Sequence, residues 1–230
     1  MKKWLVIMAL AAVAGWFLPQ SAQAQERKSN PEIDLPIEKP TPKQIQEEEE
    51  EDEGDVTFYG EELDAETDSI VYVVDYSCSM YGSRIAKAKM EVNKSIAALS
   101  ENFKFSVVAY DCYVSVWSSK LKKATAENKQ SAQAWINGQN PRGATGTGLA
   151  VKKGLEIDRD CKLVVLLTDG APNCLGSSWG SASDHLSLIT RSNQQKAKIN
   201  VFAIQPWSSS YRSFCQKVAS TSGGTYKEVN

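Results

Sequence analysis

Residues 70–80 constrain this chain more than any other stretch, because they read Ile-Val-Tyr-Val-Val-Asp-Tyr-Ser-Cys-Ser-Met. Five apolar residues rich in β-branching, with no polar alternation, suit a strand buried on both faces, as in parallel sheets covered by helices. The run passes directly into Asp75-x-Ser77-x-Ser79, one carboxylate and two hydroxyls within five residues. These are hard oxygen donors of the kind Mg²⁺ selects over nitrogen or sulfur. A buried strand that ends in such a loop places a ligand site at the carboxyl edge of an open α/β sheet.

The remainder of the chain alternates strand and helix patterns. After the oxygen-rich loop, Ser83 can cap a helix running to about Ser100, with Ile85, Ala88, Val92, Ile96 and Leu99 along one face. Phe105 to Ala109 reads as a strand, and the short turn Asp111-Cys112-Tyr113 leads into Val114 to Trp117, so the two must be antiparallel. Thr125 to Ile136 is helical, with Ala126, Ala132 and Trp135 as contacts, and Asn140-Pro141-Arg142-Gly143 ends it. Gly143 to Gly148 then opens a helix through about Leu155, and Leu163 to Leu167 is a second continuous apolar strand ending in Asp169. A Gly- and Ser-rich loop fills the interval from Gly170 to Asp184. Leu186 to Lys196 is read as helix, Ile199 to Ile204 as strand, Ser210 to Ser220 as helix and Thr225 to Val229 as the last strand. The pattern predicts an α/β fold: a doubly wound, mostly parallel six-stranded sheet with one antiparallel edge strand and helices on both faces.

Asp-x-Ser-x-Ser, Phe105 to Tyr110 (Phe-Ser-Val-Val-Ala-Tyr), Thr168 to Asn173 (Thr-Asp-Gly-Ala-Pro-Asn) and Gly223 to Tyr226 (Gly-Gly-Thr-Tyr) resemble, in order and spacing, the von Willebrand factor type A family with its metal-ion-dependent adhesion site. The resemblance spans residues 56–230. It implies a Rossmann-like fold and, residue by residue, a metal site at Asp75, Ser77, Ser79, Thr145 and Asp169. Ser77, Ser79 and Thr145 would contact Mg²⁺ or Mn²⁺, and one or both Asp residues would act through water. The open coordination position would take an acidic residue from a partner protein. Mostly neutral donors leave the ion with net positive character, which favours an anionic oxygen. Cys78 departs from the family pattern, where bacterial relatives usually carry Gly; it reads as a small buried thiol or half a disulfide.

Charge divides the chain. Residues 25–69 carry 17 acidic and 4 basic side chains, net −13, whereas residues 70–230 carry 11 and 20, net +9. Lys2 and Lys3, the apolar run Trp4 to Leu18 and Ala22-Gln23-Ala24 form a signal peptide over residues 1–24, giving a periplasmic or secreted protein with no stable membrane anchor after cleavage. Residues 25–55, with Pro31, Pro36, Pro40, Pro42 and the acidic run Glu47 to Glu53, read as a disordered linker. Val56 to Gly60 is expected to dock on the domain. The acidic arm reads first as a solvating spacer; its capture by a neighbouring molecule's metal, giving weak self-association, is the alternative.

Five cysteines in an exported chain predict disulfides and at least one unpaired thiol. Placing Cys78, Cys112, Cys174 and Cys215 near the carboxyl ends of the strands pairs Cys78 with Cys112 and Cys174 with Cys215, leaving Cys161 free. A Ser-His-Asp hydrolase would have to use His185, the only histidine, which reads as a surface or capping residue; no Gly-x-Ser-x-Gly elbow is recognised, a phosphate loop ending in Gly-Lys-Ser/Thr is absent, and the protein is taken as a non-enzyme. Lys120, Lys122, Lys123, Lys152 and Lys153 lack interleaved aromatics, so no nucleic-acid partner is expected. Binding of nucleic acid or anionic surfaces by the basic domain, and a metal-free structural module, are the alternative readings.

Overall fold

The computed structural model describes residues 57–62, 67–170 and 172–230. The proposed signal peptide and acidic linker lie outside the described residues. Those residues fall in one compact unit, Glu51–Asn230. In chain order they form β1 (Thr57–Phe58), β2 (Glu61–Glu62), β3 (Ser69–Asp75), a 3₁₀ turn (Cys78–Met80), α1 (Ser83–Ala98), β4 (Lys104–Tyr110), β5 (Val114–Val116) and β6 (Lys122–Lys123). There follow α2 (Ala126–Gly138), α3 (Thr147–Ile157), β7 (Leu163–Thr168), β8 (Cys174–Leu175), β9 (Ser178–Trp179), α4 (Ala182–Ser192), β10 (Lys198–Ile204), α5 (Ser209–Ser222) and β11 (Tyr226–Val229).

The sheet order is β11-β10-β7-β3-β4-β5, parallel throughout except for the antiparallel edge pair β4–β5. This is the predicted architecture, with the short β6 added antiparallel to β4. β3 lies in the interior of the sheet, and every one of its residues is buried. Because side chains alternate along a strand, Ile70, Tyr72 and Val74 face the layer that contains Ile85, Val92 and Ile136 of α1 and α2, whereas Val71 and Val73 face Val151, Ile189 and Val218 of α3, α4 and α5. Two helical layers thus cover both faces, which is why β3 needs no polar alternation.

Phe58 is fully buried against Tyr72 and Phe202, and the Lys227 ammonium donates to the Tyr59 carbonyl at 2.7 Å. The lead-in segment therefore docks as its apolar character suggested.

Local boundaries differ in places from the sequence reading. Gly82 rather than Ser83 holds the N-cap of α1, and in α2 Ala126 is exposed while Ile136 is buried. α4 occupies Ala182–Ser192, not Leu186 to Lys196. Ser181 and Asp184 form a capping box that starts it four residues earlier, and the Asn193 side chain donates to the Ala197 carbonyl and accepts its N–H just beyond the end. The interval read as a featureless loop contains the β8–β9 hairpin.

The cysteine pairing is corrected. Cys112 is bonded to Cys174, with Cα atoms 5.5 Å apart, and Cys78, Cys161 and Cys215 are free. Cys161 is free as expected. Cys215 sits midway along the buried face of α5 with its Sγ beside Gly170, and Cys174 is bonded to Cys112 instead. Cys78 opens the 3₁₀ turn with its side chain exposed, neither a buried thiol nor half a disulfide.

Candidate functional site

Register brings the site together. β3 pairs with β7 through Val74 and Leu167, so Asp75 ends its strand beside Thr168, and Asp169 follows one residue on. Asp75, Thr168 and Asp169 are all fully buried. The Thr168 hydroxyl donates to Asp75 Oδ2 at 2.7 Å and accepts the Gly170 N–H at 3.0 Å. On the other carboxylate oxygen, Asp75 Oδ1 accepts the Ser77 N–H at 2.8 Å, which turns the chain sharply out of the strand. The Tyr110 hydroxyl lies 3.3 Å from both Asp75 Oδ2 and Thr147 Oγ1. Ser77 and Ser79 hydroxyls are 3.1 Å apart.

Thr145 reaches the same edge through backbone contacts. Gly143 O accepts the Cys78 N–H at 3.1 Å, and Tyr76 O accepts the Arg142 N–H at 2.7 Å, so the loop before α3 is tied to the loop after β3. Thr145 and Ser77 are buried, and Ser79 is half-buried. Arg84 donates to the Ser79 carbonyl at 3.0 Å and to the Gln205 carbonyl at 3.4 Å, with its guanidinium 5.7 Å from the Trp207 ring. That side chain links the Ser79 loop to the loop after β10.

Burial, and next the charge of Asp169, raise the Asp75 carboxyl to about 7. Two carboxyls packed together in a desolvated place disfavour double ionisation. A divalent cation between them and the hydroxyls would reverse that penalty, so the donor set fits a hard ion. Among the described residues no group of three or more His, Cys, Asp and Glu is placed to hold a metal, so any site here must draw on hydroxyls.

His185 is not a surface residue: it is fully buried, and it caps the neighbouring helix, its Nδ1 accepting the Gly148 N–H at 2.9 Å in the first turn of α3. Its Nε2 has no hydrogen-bond partner among the described residues, and burial lowers its pKa below the usual value. Gly176-Ser177-Ser178-Trp179-Gly180 has the Gly-x-Ser-x-Gly spacing of a hydrolase nucleophile turn, but it forms the β8–β9 hairpin instead of a strand–turn–helix. No hydrogen bond joins Ser178 to His185; the Ser178 hydroxyl meets the Leu175 carbonyl at 3.4 Å.

The sequence reading also missed an aromatic surround. Tyr81, Tyr113, Trp179 and Trp207 are 68–80% exposed and lie on the loops that follow β3, β4, β7 and β10, the same edge as the oxygen donors. Only Met90, on α1, joins them as a large exposed apolar side chain among the described residues. Exposed aromatics grouped at one edge are a recognisable contact surface, but a sequence shows only that each is aromatic.

Comparison with known proteins follows the same residues. The von Willebrand factor type A domain profile matches residues 68–228. Inter-alpha-trypsin inhibitor heavy chain H3 of Bos taurus is 26% identical over 116 residues, which is 46% of this chain and 13% of that protein. The chain thus matches only about an eighth of the length of such relatives. Among solved structures, a von Willebrand factor type A protein from Catenulispora acidiphila superposes with a TM-score of 0.60 at 20% identity, covering 70% of this chain and 38% of that one. The pilus adhesin SpaC of Lactobacillus rhamnosus GG gives 0.58 at 17% identity, over 70% and 28% of the two chains. Manganese-loaded Plasmodium vivax TRAP protein gives 0.54 at 21% identity, over 70% and 68%.

Proposed function

The chain belongs to the von Willebrand factor type A domain family, and from that premise we propose that it is an exported binding module, not an enzyme, whose carboxyl-edge loops hold one Mg²⁺ or Mn²⁺ and dock a partner protein. The observation that carries this reading is the meeting of two buried carboxyls, Asp75 and Asp169, with the hydroxyl-bearing loops of Ser77, Ser79 and Thr145 at one edge of the sheet. Ser77, Ser79 and Thr145 would supply neutral oxygens to the ion, and Asp75 and Asp169 would balance its charge from behind. The ion's remaining coordination position would accept a carboxylate from the partner. Tyr81, Tyr113, Trp179 and Trp207 would add desolvated area around that contact, the role aromatics commonly play at interface centres.

Support for the ion includes a manganese-loaded structure with the same fold. Support for export is the leader pattern of residues 1–24 together with the Cys112–Cys174 disulfide, since such bonds persist in oxidising compartments. Among the described residues no helix is long and apolar enough to cross a membrane.

Titration calorimetry with Mn²⁺ on wild type and Thr145→Ala tests the ion, and capture from the native envelope with Mg²⁺ and then with EDTA tests the partner. We expect saturable one-site binding that Thr145→Ala weakens, and a captured protein released by EDTA. A wild-type protein that binds no Mn²⁺ refutes the metal site.

A further inference from the structure

Thr145 is held less by its own helix than by the hairpin that follows β7. Its N–H donates to Asn173 Oδ1 at 2.9 Å, and its carbonyl accepts the N–H groups of Asn173 at 3.0 Å and Cys174 at 3.1 Å. The next residue is seated on the other side: the Gly146 N–H donates to the Asp111 carbonyl at 2.8 Å. A Cβ on Gly146 would stand 2.8 Å from that oxygen and 3.4 Å from the carbonyl oxygens of both Cys112 and Cys174. The backbones of the two half-cystines thus form the walls of a seat that only glycine fits, and the disulfide joins those walls. The hairpin itself is closed by the Gly180 N–H to Asn173 O contact at 3.1 Å and by pairing of Cys174 with Trp179.

We propose that Asn173, with the Cys112–Cys174 disulfide behind it, is the positioning device for Thr145, so that the cation affinity of the site depends on that disulfide being oxidised. The proposal rests on the metal reading above. Asn173 touches no ion in this role; it sets the backbone from which the Thr145 hydroxyl projects. Loss of such a supporting group around a metal ligand typically costs 10–100-fold in affinity. With a dithiol such as dithiothreitol as reductant, the S–S bond breaks, Cys112 and Cys174 each gain a proton as thiols, and the reductant's two sulfurs close into a cyclic disulfide. Two electrons pass to the protein, and the hairpin is then fastened to the β4–β5 turn by noncovalent contacts alone.

The test uses the full mature chain in four forms: oxidised wild type, wild type reduced with dithiothreitol and desalted, Cys112→Ser/Cys174→Ser, and Asn173→Ala. Two quantities are measured: the Mn²⁺ dissociation constant by calorimetry, and amide exchange of Thr145 by NMR in metal-free protein. Expected are a 10–100-fold weaker Mn²⁺ constant and faster Thr145 exchange in the last three forms, while amides of β3 and β7 stay protected. A fifth form, Asn173→Asp, which retains the acceptor for the Thr145 N–H, should restore its protection. An unchanged constant and unchanged Thr145 exchange in a folded disulfide-free chain overturn the proposal, because a merely structural bond would lower stability without moving either. If the double variant does not fold, reduced wild type decides the dependence on the disulfide, and Asn173→Ala, with its disulfide intact, decides the role of Asn173. If oxidised wild type binds no Mn²⁺, the metal reading fails on that result and the proposed cation dependence fails with it; the exchange data then judge the positioning of Thr145 alone.

Discussion

Replacing Asp75 with Asn should stabilise the metal-free protein while abolishing its response to divalent cations. Burial and the neighbouring Asp169 raise the Asp75 carboxyl from 3.8 to about 7, so the native state holds its proton across a range where the unfolded chain has released it. Native protein then binds more protons than unfolded, and stability falls as pH rises from near 4 to near 7. The full penalty above pH 7 is on the order of 4 kcal/mol. Asn keeps an acceptor for the Ser77 N–H but replaces the Oδ2 acceptor of Thr168 and Tyr110 with a donor, which costs about 1–2 kcal/mol. The net gain at pH 8 is about 2 kcal/mol, or roughly 4–8 °C in Tm for a domain of this size. At pH 5 the penalty has shrunk to about 1–2 kcal/mol, and the two proteins should melt together. Thermal unfolding in EDTA at both pH values measures this. Added Mg²⁺ at a hundred times its dissociation constant should stabilise wild type by about 2.7 kcal/mol and leave the Asn variant almost unmoved. If the metal-free variant is no more stable at pH 8, or its advantage does not shrink toward pH 5, the account of two repelling buried carboxyls is wrong.

Other substitutions probe the frame around the site. A Cβ at Gly224 would sit 2.2 Å from the Ile199 carbonyl oxygen, so Gly224→Ala should push β11 off β10 and cost more than about 3 kcal/mol in urea unfolding. Phe58→Ala removes a fully buried ring packed on Tyr72 and Phe202 and should cost about 3 kcal/mol; a loss under 1 would show the lead-in segment is not part of the core. His185, with its pKa lowered by burial, accepts a proton more readily once unfolded, so its contribution is lost as pH falls below about 6.5. His185→Gln should therefore show a shallower loss of stability than wild type between pH 6.5 and 5, measured in the Asp75→Asn background, where the opposing carboxyl is absent.

Much of this molecule is written locally. Ile70 to Val74 and Leu163 to Leu167 could be read as buried central strands because continuous β-branched runs suit a sheet covered on both faces, and helices on both sides do cover them. The placing of Asp75 and Asp169 at one edge follows from the same reading, since carboxyl ends of parallel strands share one edge of the sheet, whereas the joining of Ser77, Ser79 and Thr145 to them as one set is what the family resemblance implies. Helix boundaries were less legible: α4 starts where the Ser181–Asp184 capping box dictates, a signal as local as any but easily hidden within a Gly- and Ser-rich stretch.

The tertiary structure alone decided which side chains meet across loops. Five cysteines at scattered positions admit many pairings, and a bond forms only where Cα atoms come within about 4.4–6.8 Å. That condition is met at Cys112 and Cys174 because the Thr145 loop gathers the β4–β5 turn and the β8–β9 hairpin around Gly146, an arrangement of residues more than 60 apart in the chain that no local pattern encodes. Burial of His185 against the first turn of α3, and the placing of Tyr81, Tyr113, Trp179 and Trp207 on loops at one edge of the sheet, have the same origin. Sequence periodicity reports which face of an element is apolar; what that face or loop touches depends on the packing of elements distant in sequence.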